Sequence, residues 1–303
     1  MHQIRVGVVV LPQQRWAEAA PRWRAVEEMG FAHAWTYDHL AWQSLADEPW
    51  FATVPTLTAA ALVTSRIRLG TWVASPNFRH PVPFAKELLS LDDVSGGRFL
   101  LGVGAGGGGW DADVLGEAAP SPRQRVERLE EFVTLLDLLL TQEETTWRGE
   151  WFTAVRARMR PVAPQRMPFV VAANGPRGIS VAARRGSAWA TTGTTDPDDG
   201  QEVWWRGVEQ ASQRFTDALA DAGRPTSGVD RYLDLDSSAV LSLSSLGAFQ
   251  DAVGRAAELG FTDVVTHWPR DEGVYAGDVR VLEQVAADLA AGRGGAPPHR
   301  DGA

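Results

Sequence analysis

Short apolar segments alternate with longer amphipathic segments along most of the chain. Residues 123–141 show the amphipathic type, because apolar side chains from Val126 to Leu140 recur on one face of a helix. Residues 27–36 resemble residues 257–266, and each segment ends a helix on a glycine before a short β-rich strand. This alternation predicts βα units and a parallel sheet.

Eight strands and eight helices follow from this pattern. We place the strands near residues 4–10, 33–37, 68–73, 99–103, 169–172, 188–192, 231–235 and 262–266. We place the helices near residues 17–29, 54–64, 83–94, 123–141, 177–185, 203–222, 246–259 and 278–291. Their alternation predicts an α/β fold closed into a (β/α)8 TIM barrel, with an open doubly wound sheet as the alternative.

Two segments interrupt the alternation. Residues 145–167 predict a small hairpin inserted before the fifth strand, because a Trp-Arg-Gly-Glu-Trp-Phe turn lies among them. Residues 292–303 show no packing pattern and are expected to be a disordered tail. We therefore expect residues 1–291 to form a single barrel domain.

Composition narrows the choice of partners and compartment. A net charge of −9 argues against nucleic acid, and no apolar run of about 18 residues predicts a membrane span. The chain has no cysteine and enters a strand at its first residues, so we expect a cytoplasmic protein. Lys86 is the only lysine, so an anion must be bound by arginine, backbone N–H groups or helix ends. The second helix is apolar nearly all round, so it is expected either to be deeply buried or to form the interface of a homodimer.

Candidate chemistry follows the predicted strands, because the C-terminal ends of barrel strands meet at one rim. His39 follows the second strand, beside Asp38, and is the best candidate acid or base because imidazole titrates near neutrality. Asn174-Gly175-Pro176-Arg177-Gly178 precedes a helix, whose first N–H groups suit a phosphate. Thr192 and Gly193 end the neighbouring strand on the same side. The rim therefore predicts a ligand site with a phosphate subsite.

Residues 104–109 formally satisfy the G-x-G-x-x-G pattern. A dinucleotide-binding loop would lead directly into a helix, whereas here the helix is predicted to begin near Arg123. We interpret the run as a loop kept small so that a planar ligand can approach the backbone. The chain has neither a His-Glu-x-x-His motif nor a Gly-x-Ser-x-Gly elbow, so we expect no catalytic metal and no common hydrolase.

Three groups of motifs carry a family resemblance. They are Ser75-Pro76-Asn77 with Arg79-His80-Pro81, Ser95-Gly96-Gly97-Arg98, and Leu101-Gly102-Val103-Gly104-Ala105-Gly106. Together they resemble the bacterial luciferase-like flavin oxidoreductases, over nearly the whole chain. Asp38, His39 and Trp42 resemble the branch of that family that uses coenzyme F420, an 8-hydroxy-5-deazaflavin.

The resemblance implies a cofactor at the C-terminal rim, either F420 or, as the alternative, FMN. It assigns catalysis to His39, with Asp38 beside it and Trp42 on the substrate side. The ring would lie against Val73-Ala74-Ser75, where the family often has a non-proline cis peptide bond. The residues expected to bind the cofactor are Val73, Ala74, Ser75, Asn77, Gly104, Ala105, Gly106, Ala173, Asn174, Gly175, Pro176, Arg177, Gly178, Thr192 and Gly193.

Other residues are candidates for the substrate and for the anionic tail of F420. Phe78, Trp110 and Trp268 suggest an apolar or aromatic substrate wall. The candidates for the tail are Arg79, Arg177, Arg156, Arg158 and Arg160. The chain departs from the F420-dependent sugar-phosphate dehydrogenases, because glycines stand where they carry an acid and it lacks their lysines. A sugar phosphate is therefore not the expected substrate.

We predict an oxidoreductase that transfers hydride between F420 and a small organic substrate, with His39 moving the proton and Asp38 orienting it. An FMN-dependent monooxygenase is the alternative, and it would need a separate flavin reductase as a partner. A non-catalytic flavin-binding relative is a further alternative. The last is a lyase or isomerase that uses His39 and Asp111 without any flavin.

Overall fold

Eight parallel strands close into a barrel in the computed structural model, which describes residues 4–107, 110–194 and 199–292. The described strands are β1 (Arg5–Val9), β2 (His33–Thr36), β3 (Arg68–Thr71), β4 (Phe99–Gly104), β5 (Glu144–Arg148), β6 (Thr153–Arg158), β7 (Phe169–Ala172), β8 (Ala188–Thr191), β9 (Asp230–Asp234) and β10 (Asp263–His267). Around the barrel the order is β1-β10-β9-β8-β7-β4-β3-β2. The predicted TIM barrel is confirmed.

Helices alternate with the strands and cover the outside of the barrel. The described helices are α1 (Trp16–Glu28), α2 (Thr53–Val63), α3 (Pro81–Ser95), α4 (Trp110–Val114), α5 (Pro122–Thr141), α6 (Pro176–Arg185), α7 (Gln201–Asp221), α8 (Leu246–Glu258) and α9 (Val279–Ala290). Short 3-10 turns cover Gln43–Leu45, Leu235–Ser237 and Ser242–Ser244. Local sequence explains where α5 begins, because Ser121 and Gln124 form a reciprocal capping box before Pro122.

Side chains alternate between two cores, as the period of a strand requires. Outward residues such as Leu69 and Leu101 pack against the helices, while Trp35 and Tyr232 fill the barrel. Glycine makes room for these large inward side chains, since a Cβ added at Gly70 would lie 2.3 Å from the Trp35 ring. The barrel is therefore filled by side chains up to its C-terminal rim.

The hairpin β5–β6 is fastened to α5 by one carboxylate. Glu131 accepts hydrogen bonds from the backbone N–H groups of Glu150, Trp151 and Phe152, and from the Trp147 indole N–H. A carboxylate has enough acceptor sites for these four donors. The predicted hairpin before the fifth barrel strand is confirmed, and its turn is anchored to the barrel.

The chain differs from the prediction after β4. We expected the next helix near Arg123, but α4 intervenes at Trp110–Val114 and brings Asp111 to the rim. Gly108 and Gly109 lie outside the described residues, as do residues 293–303 of the expected tail. The division into one domain and a tail stays a prediction.

Candidate functional site

A cavity of about 1240 Å³ opens at the C-terminal ends of the barrel strands. Loops after seven of the eight barrel strands contribute to its wall, together with the first turns of α5 and α6. The predicted residues that line it are His39, Trp42, Val73, Gly104, Ala105, Gly106, Ala173, Asn174, Gly175, Pro176, Arg177, Gly178 and Thr192. Most of the predicted site is therefore brought together in one place.

His39 is paired with Asp111 rather than with its sequence neighbour. The His39 Nδ1 atom lies 2.9 Å from Asp111 Oδ2, and the other carboxylate oxygen accepts from the Leu40 N–H at 2.7 Å. Asp111 is buried, whereas the His39 side chain keeps 18% of its exposure. An ionised carboxylate only accepts hydrogen bonds, so in the neutral ring the proton is on Nδ1 and Nε2 is available to a ligand.

Asp38 has a different role from the one we expected. It is buried and accepts two hydrogen bonds from the Arg79 guanidinium, at 2.6 and 3.1 Å, while Arg79 also contacts Glu87. The prediction that Asp38 orients His39 is wrong, and Asp111 does so. Asp38 and Arg79 lie behind the cavity wall and tie the loop after β2 to α3.

The loops after β3 and β4 form a backbone wall. The non-proline cis bond is Trp72–Val73, at the start of the segment where the resemblance implied it. Ala74 is bonded to Gly102 and Gly104 through its backbone, at 2.8 Å in both cases. Ala74 and Ser75 are fully buried and do not line the cavity, so they support this wall rather than contact a ligand.

Gly106 is the residue of this wall where an added side chain would meet the closest contact. It has φ +75°, and an added Cβ would lie 2.1 Å from Asn77 Nδ2. Asn77 is buried beneath the loop, and its Oδ1 atom has no hydrogen-bond partner in the part of the chain that the structure describes. Arg125 of α5 donates to the carbonyl groups of Gly106 and Gly107, at 3.1 and 2.7 Å. Sequence reasoning missed Arg125, which sets the shape of this loop from outside.

The N-terminus of α6 forms the opposite wall. Gly175 is its N-cap, and the first intrahelical bond runs from the Ile179 N–H to Gly175 O at 2.9 Å. The backbone N–H groups of Arg177 and Gly178 precede that bond and have no acceptor within the helix. Asn174 bridges to β8 through the Thr191 and Thr192 hydroxyls. Backbone donors and hydroxyls therefore meet here, as an anionic group requires.

Gly193 supports the α6 wall from behind. It has φ +84°, and an added Cβ would lie 2.7 Å from the Trp204 indole nitrogen, which donates to Thr192 O. Gly193 does not line the cavity, in contrast to the prediction that it contacts the cofactor. The small residue allows Trp204 to hold Thr192 in place.

A polar wall made by β9, β10 and their loops is absent from our predictions. Tyr37 and Tyr275 line it with Asp234 and Asp236, and His267 lies buried behind. The Asp236 Oδ2 atom is 3.0 Å from His267 Nδ1, His267 Nε2 is 2.9 Å from the Tyr37 hydroxyl, and this hydroxyl is 2.8 Å from that of Tyr275. These residues come from separate βα units, so no local sequence signal pointed to the wall.

The two carboxyl groups of this wall differ in their pKa. Burial raises the pKa of Asp234, and the nearby Asp236 charge adds to the effect; its hydrogen bond from Trp72 Nε1 at 3.0 Å opposes it only in part. Burial acts on Asp236 as well, but hydrogen bonds from His267 and Ser242 outweigh it and lower the pKa of Asp236. Burial also raises the pKa of Tyr37 and of Tyr275. The wall therefore combines one ionised carboxylate with one carboxyl group that holds its proton more tightly.

Three predicted substrate residues lie away from the cavity. Trp268 packs outside the barrel, where the Arg22 guanidinium is 5.7 Å from its ring. Phe78 contacts Arg79, and Trp110 is 46% exposed on α4. None of the three lines the cavity, so that prediction is wrong for the described structure. The aromatic side chains that do line it are Tyr37, Trp42, Trp72 and Tyr275.

The hairpin arginines are also placed elsewhere. Arg156 and Arg158 pair with Glu144, and Arg160 pairs with Glu143. Within the described ranges, the arginines that line the cavity are Arg123 and Arg177. In these same ranges no helix is long and apolar enough to cross a membrane, and no three His, Asp or Glu side chains are grouped as metal ligands.

A parallel barrel with a large cavity at the C-terminal rim is the architecture in which α/β-barrel proteins bind ligands between their βα loops. The chain belongs to the luciferase-like monooxygenase family, whose model matches residues 1–242. The resemblance described above is thereby confirmed.

Relatives agree with this assignment. An uncharacterised protein of Mycobacterium tuberculosis is 31% identical over 310 residues, covering 94% of this chain and 98% of that protein. The F420-dependent glucose-6-phosphate dehydrogenase of Nakamurella multipartita is 33% identical over 205 residues, covering 63% of this chain and 58% of that enzyme. The F420-dependent hydroxymycolic acid dehydrogenase of Mycobacterium tuberculosis is 32% identical over 194 residues, covering 61% of this chain and 51% of that enzyme.

Solved structures share the fold at low identity. An F420-dependent secondary alcohol dehydrogenase in complex with an F420-acetone adduct has a TM-score of 0.76 at 18% identity, covering 93% of this chain and 98% of that one. The F420-dependent tetrahydromethanopterin reductase of Methanopyrus kandleri has a TM-score of 0.75 at 19% identity, covering 96% and 99%. These similarities support the barrel and not a particular reaction.

Proposed function

We propose that this protein is an oxidoreductase that binds coenzyme F420 and transfers hydride between it and a small organic substrate. The observation that carries the proposal is the cavity itself, where the His39–Asp111 pair, the small-residue loop after β4 and the N-terminus of α6 face one space. F420 dependence in the printed names of several relatives supports the choice of cofactor.

The residues present fit a flat ring with a phosphorylated side chain. Gly104, Ala105 and Gly106 bring backbone to the cavity without large side chains. A Cβ added at Gly175 would meet nothing within 4 Å, so the N-terminus of α6 is accessible. The backbone N–H groups of Arg177 and Gly178 would hold a phosphate there.

When bound, F420 supplies a ring carbon that gives or takes a hydride. His39 would move the accompanying proton at Nε2, because Asp111 occupies Nδ1 and fixes the ring orientation. Trp42 stacks on Tyr275, with ring centroids 6.1 Å apart at 27°, and would limit the substrate space on that side. Asp38 and Arg79 position the loop that carries His39.

Charge around the cavity bears on the coenzyme tail and on the substrate. Arg123 and Arg177 would contact the anionic tail, because they line the cavity and the hairpin arginines do not. Arg123 also pairs with Glu127 on its own helix, at 2.6 Å, so Arg177 is the stronger candidate. Asp234 and Asp236 line the other side, where a phosphate would be repelled. This arrangement supports an uncharged organic substrate rather than a sugar phosphate.

Equilibrium titration of the apo protein with F420 and with FMN, followed by fluorescence quenching, tests the proposal. We expect tighter binding of F420 than of FMN. Arg123→Gln and Arg177→Gln should weaken F420 binding more than that of a truncated F420 without its anionic tail. Arg156→Gln is the matched control, since it removes an arginine paired on the hairpin.

Other outcomes of the titration point to the alternatives. Preference for FMN would favour a monooxygenase with a separate flavin reductase, the chemistry of a 13% identical structural neighbour that holds FMN. Binding of neither cofactor would contradict the proposal and favour a flavin-independent lyase or isomerase. Binding of F420 without turnover of any substrate class would favour a cofactor-binding relative. A cytoplasmic location and a homodimer through α2, where Leu62 is 73% exposed, stay predictions.

A further inference from the structure

One hydrogen-bonded chain on the polar wall has no part in the function proposed so far. It runs from Asp236 through His267 and Tyr37 to Tyr275, with successive distances of 3.0, 2.9 and 2.8 Å. His267 is 1% exposed, and Asp236 is 4% exposed. Tyr37 and Tyr275, at one end of this hydrogen-bonded chain, each carry a phenol hydroxyl and line the cavity.

The direction of the protons in this chain follows from Asp236. Both Asp236 oxygens are occupied, by the Ser242 N–H and hydroxyl on one side, and by the Thr266 hydroxyl and the His267 N–H groups on the other. Because an ionised carboxylate cannot donate, a neutral His267 ring carries its proton on Nδ1 and accepts at Nε2. Tyr37 therefore donates to His267, and Tyr275 donates to Tyr37. The Tyr275 oxygen keeps lone pairs that can accept a proton from the cavity.

A hydrogen bond, an ion pair and a ring stack hold the loop that carries Tyr275 in place. Tyr275 has φ +62°, a backbone conformation that is uncommon for a residue other than glycine. Its carbonyl accepts from the Arg270 N–H at 2.9 Å, and Arg270 pairs with Glu48 at 2.6 Å. The Tyr275 ring stacks on His267, with centroids 3.6 Å apart at 6°. Strained backbone that the surroundings maintain is a mark of functional sites.

We propose that, for a substrate with a hydroxyl group, Tyr275 rather than His39 is the base that takes the hydroxyl proton, and that Tyr37, His267 and Asp236 form the relay that takes it up. The inference rests on the proposed function, because the bound deazaflavin is the oxidant. The substrate class is an alcohol, and the product is the corresponding ketone or aldehyde.

The proton and the hydride leave the substrate by separate routes. The substrate O–H bond breaks and its proton passes to the Tyr275 oxygen, the Tyr275 proton passes to Tyr37, and the Tyr37 proton passes to His267 Nε2. The carbinol C–H bond breaks with its electron pair, and the hydride leaves to the oxidised coenzyme as the C=O bond forms. Asp236 stabilises the imidazolium that results. In the reverse direction, the same chain returns a proton to a carbonyl oxygen.

Other titratable groups face this chain and must be separated from it. Asp234 shares the wall, the Tyr37 ring is 6.2 Å from that of His39, and Asp111 is paired with His39. The Glu48–Arg270 pair lies behind the Tyr275 loop. Substitution of His39 and of His267 one at a time assigns a pH dependence to one of the two imidazoles.

The experiment compares Tyr275→Phe, His267→Gln and His39→Gln with Tyr232→Phe and His33→Gln. The last two are matched controls, because they lie in the filled barrel interior and outside the cavity lining. F420 binding is measured first, by fluorescence quenching. Single-turnover reduction of bound F420 is then followed with propan-2-ol, cyclohexanol and benzyl alcohol as probes, from pH 5 to 9.

We expect Tyr275→Phe to bind F420 like the wild type and to lose about 100-fold or more in the turnover rate. The wild-type rate should fall on the acid side, because a protonated His267 cannot accept a further proton, and this limb should disappear in His267→Gln. In ¹⁵N-histidine-labelled apo protein at pH 8, the His267 ring should carry its hydrogen on Nδ1. The Nε2 resonance should move in Tyr37→Phe.

Each opposing result has its own meaning. Failure of the wild type to bind F420 would contradict the proposed function. Binding of F420 without oxidation of any of the three alcohols, or equal rates in Tyr275→Phe and the wild type, would contradict the relay and leave the coenzyme assignment intact. A His267 ring that carries its hydrogen on Nε2 would also overturn the relay, because Nε2 could then not accept a proton.

Discussion

Two histidine–carboxylate pairs stand at opposite ends of the same barrel. At the N-terminal end, His33 Nε2 lies 3.1 Å from Asp263, the first residue of β10. At the C-terminal end, His267, the last residue of the same strand, lies 3.0 Å from Asp236. The pairs share burial and residue types, and they differ in what surrounds them.

The N-terminal pair forms the closed end: an arginine balances its charge, and its hydrogen bonds end inside the protein. Arg5 donates to both oxygens of Asp263, at 2.8 and 2.7 Å, and also contacts Asp230. His33 Nδ1 accepts from the Trp35 indole at 2.6 Å, so neither ring nitrogen is left for a ligand. Burial lowers the pKa of His33, which favours the neutral ring. This pair therefore serves the stability of the barrel.

The C-terminal pair is open and carries no arginine. Among the described residues, no arginine or lysine is paired with Asp234 or Asp236, and the hydrogen bonds continue from His267 to phenols on the cavity wall. A buried histidine–carboxylate pair whose charge is balanced and whose hydrogen bonds end inside the protein serves stability, whereas a pair whose hydrogen bonds continue to a cavity wall is a candidate for chemistry.

The largest expected effect is that of Asp263→Asn at the closed end. It leaves Arg5 and His33 without their shared carboxylate, so the free energy of unfolding should fall by about 3 kcal/mol. Urea unfolding measures the loss. The F420 affinity of the folded protein should be unchanged, and an affinity change without a stability change would break the distinction between the two ends.

Next in size is Gly106→Ala at the open end. The added Cβ meets Asn77 and the φ of +75° strains an alanine, so the loop must shift and F420 affinity should fall about tenfold. Fluorescence titration measures this change. Gly7→Ala is the counterpart at the closed end, where a Cβ would lie 1.8 Å from the His33 ring. It should lower stability and leave the affinity of the folded fraction unaltered.

Glu27→Gln tests how the pH dependence of stability arises at the closed, N-terminal end of the barrel. Burial opposes ionisation of Glu27, but hydrogen bonds from Ser65, Arg66 and Ile67 outweigh it and lower its pKa to about 2. A lowered pKa in the folded state stabilises the protein above about pH 4.5, and this contribution is lost as the pH falls towards 2. We expect a loss of about 1 kcal/mol at pH 7, after allowance for solvent screening.

Unfolding curves at pH 7 and pH 3 measure the effect of this substitution. The difference between Glu27→Gln and the wild type should shrink at the lower pH. Glu28→Gln on the exposed side of α1 serves as the control. Equal differences at both pH values would show that the hydrogen bonds of Glu27 do not depend on its charge.

The smallest expected effect has the opposite sign. A raised pKa of Asp234 in the folded state disfavours folding as the pH rises above about 4, because the unfolded chain then loses a proton that the folded chain keeps. Asp234→Asn removes this unfavourable contribution, so the free energy of unfolding of the variant should increase relative to the wild type between pH 4 and 7. Asp236→Asn, at a carboxylate of lowered pKa, should behave in the opposite way. If both variants changed stability in the same direction, the difference in pKa between Asp234 and Asp236 would be contradicted.

Local sequence predicted the barrel well, because each βα unit carries its own signals. The αL glycines Gly30 and Gly260, the cap at Ser121 and the amphipathic face of α5 act over a few residues. The N-terminus of α6 was equally visible, since Gly175-Pro176 marks the start of that helix. Arg125 and Trp204 could not be predicted in this way, because their effects on the site cross from one element to another.

Sequence alone determined the order of strands and helices, the rim where a ligand would meet the chain, and His39 as a residue there. Tertiary structure decided which partner each side chain has. His39 pairs with Asp111 and Asp38 pairs with Arg79, although Asp38 and His39 are neighbours in sequence. Successive residues after a strand point in different directions, whereas barrel closure brings residues 72 positions apart within 2.9 Å. The same closure assembled Asp236, His267, Tyr37 and Tyr275 from one strand end and three separate loops, a contact that depends on barrel geometry and leaves no local signal.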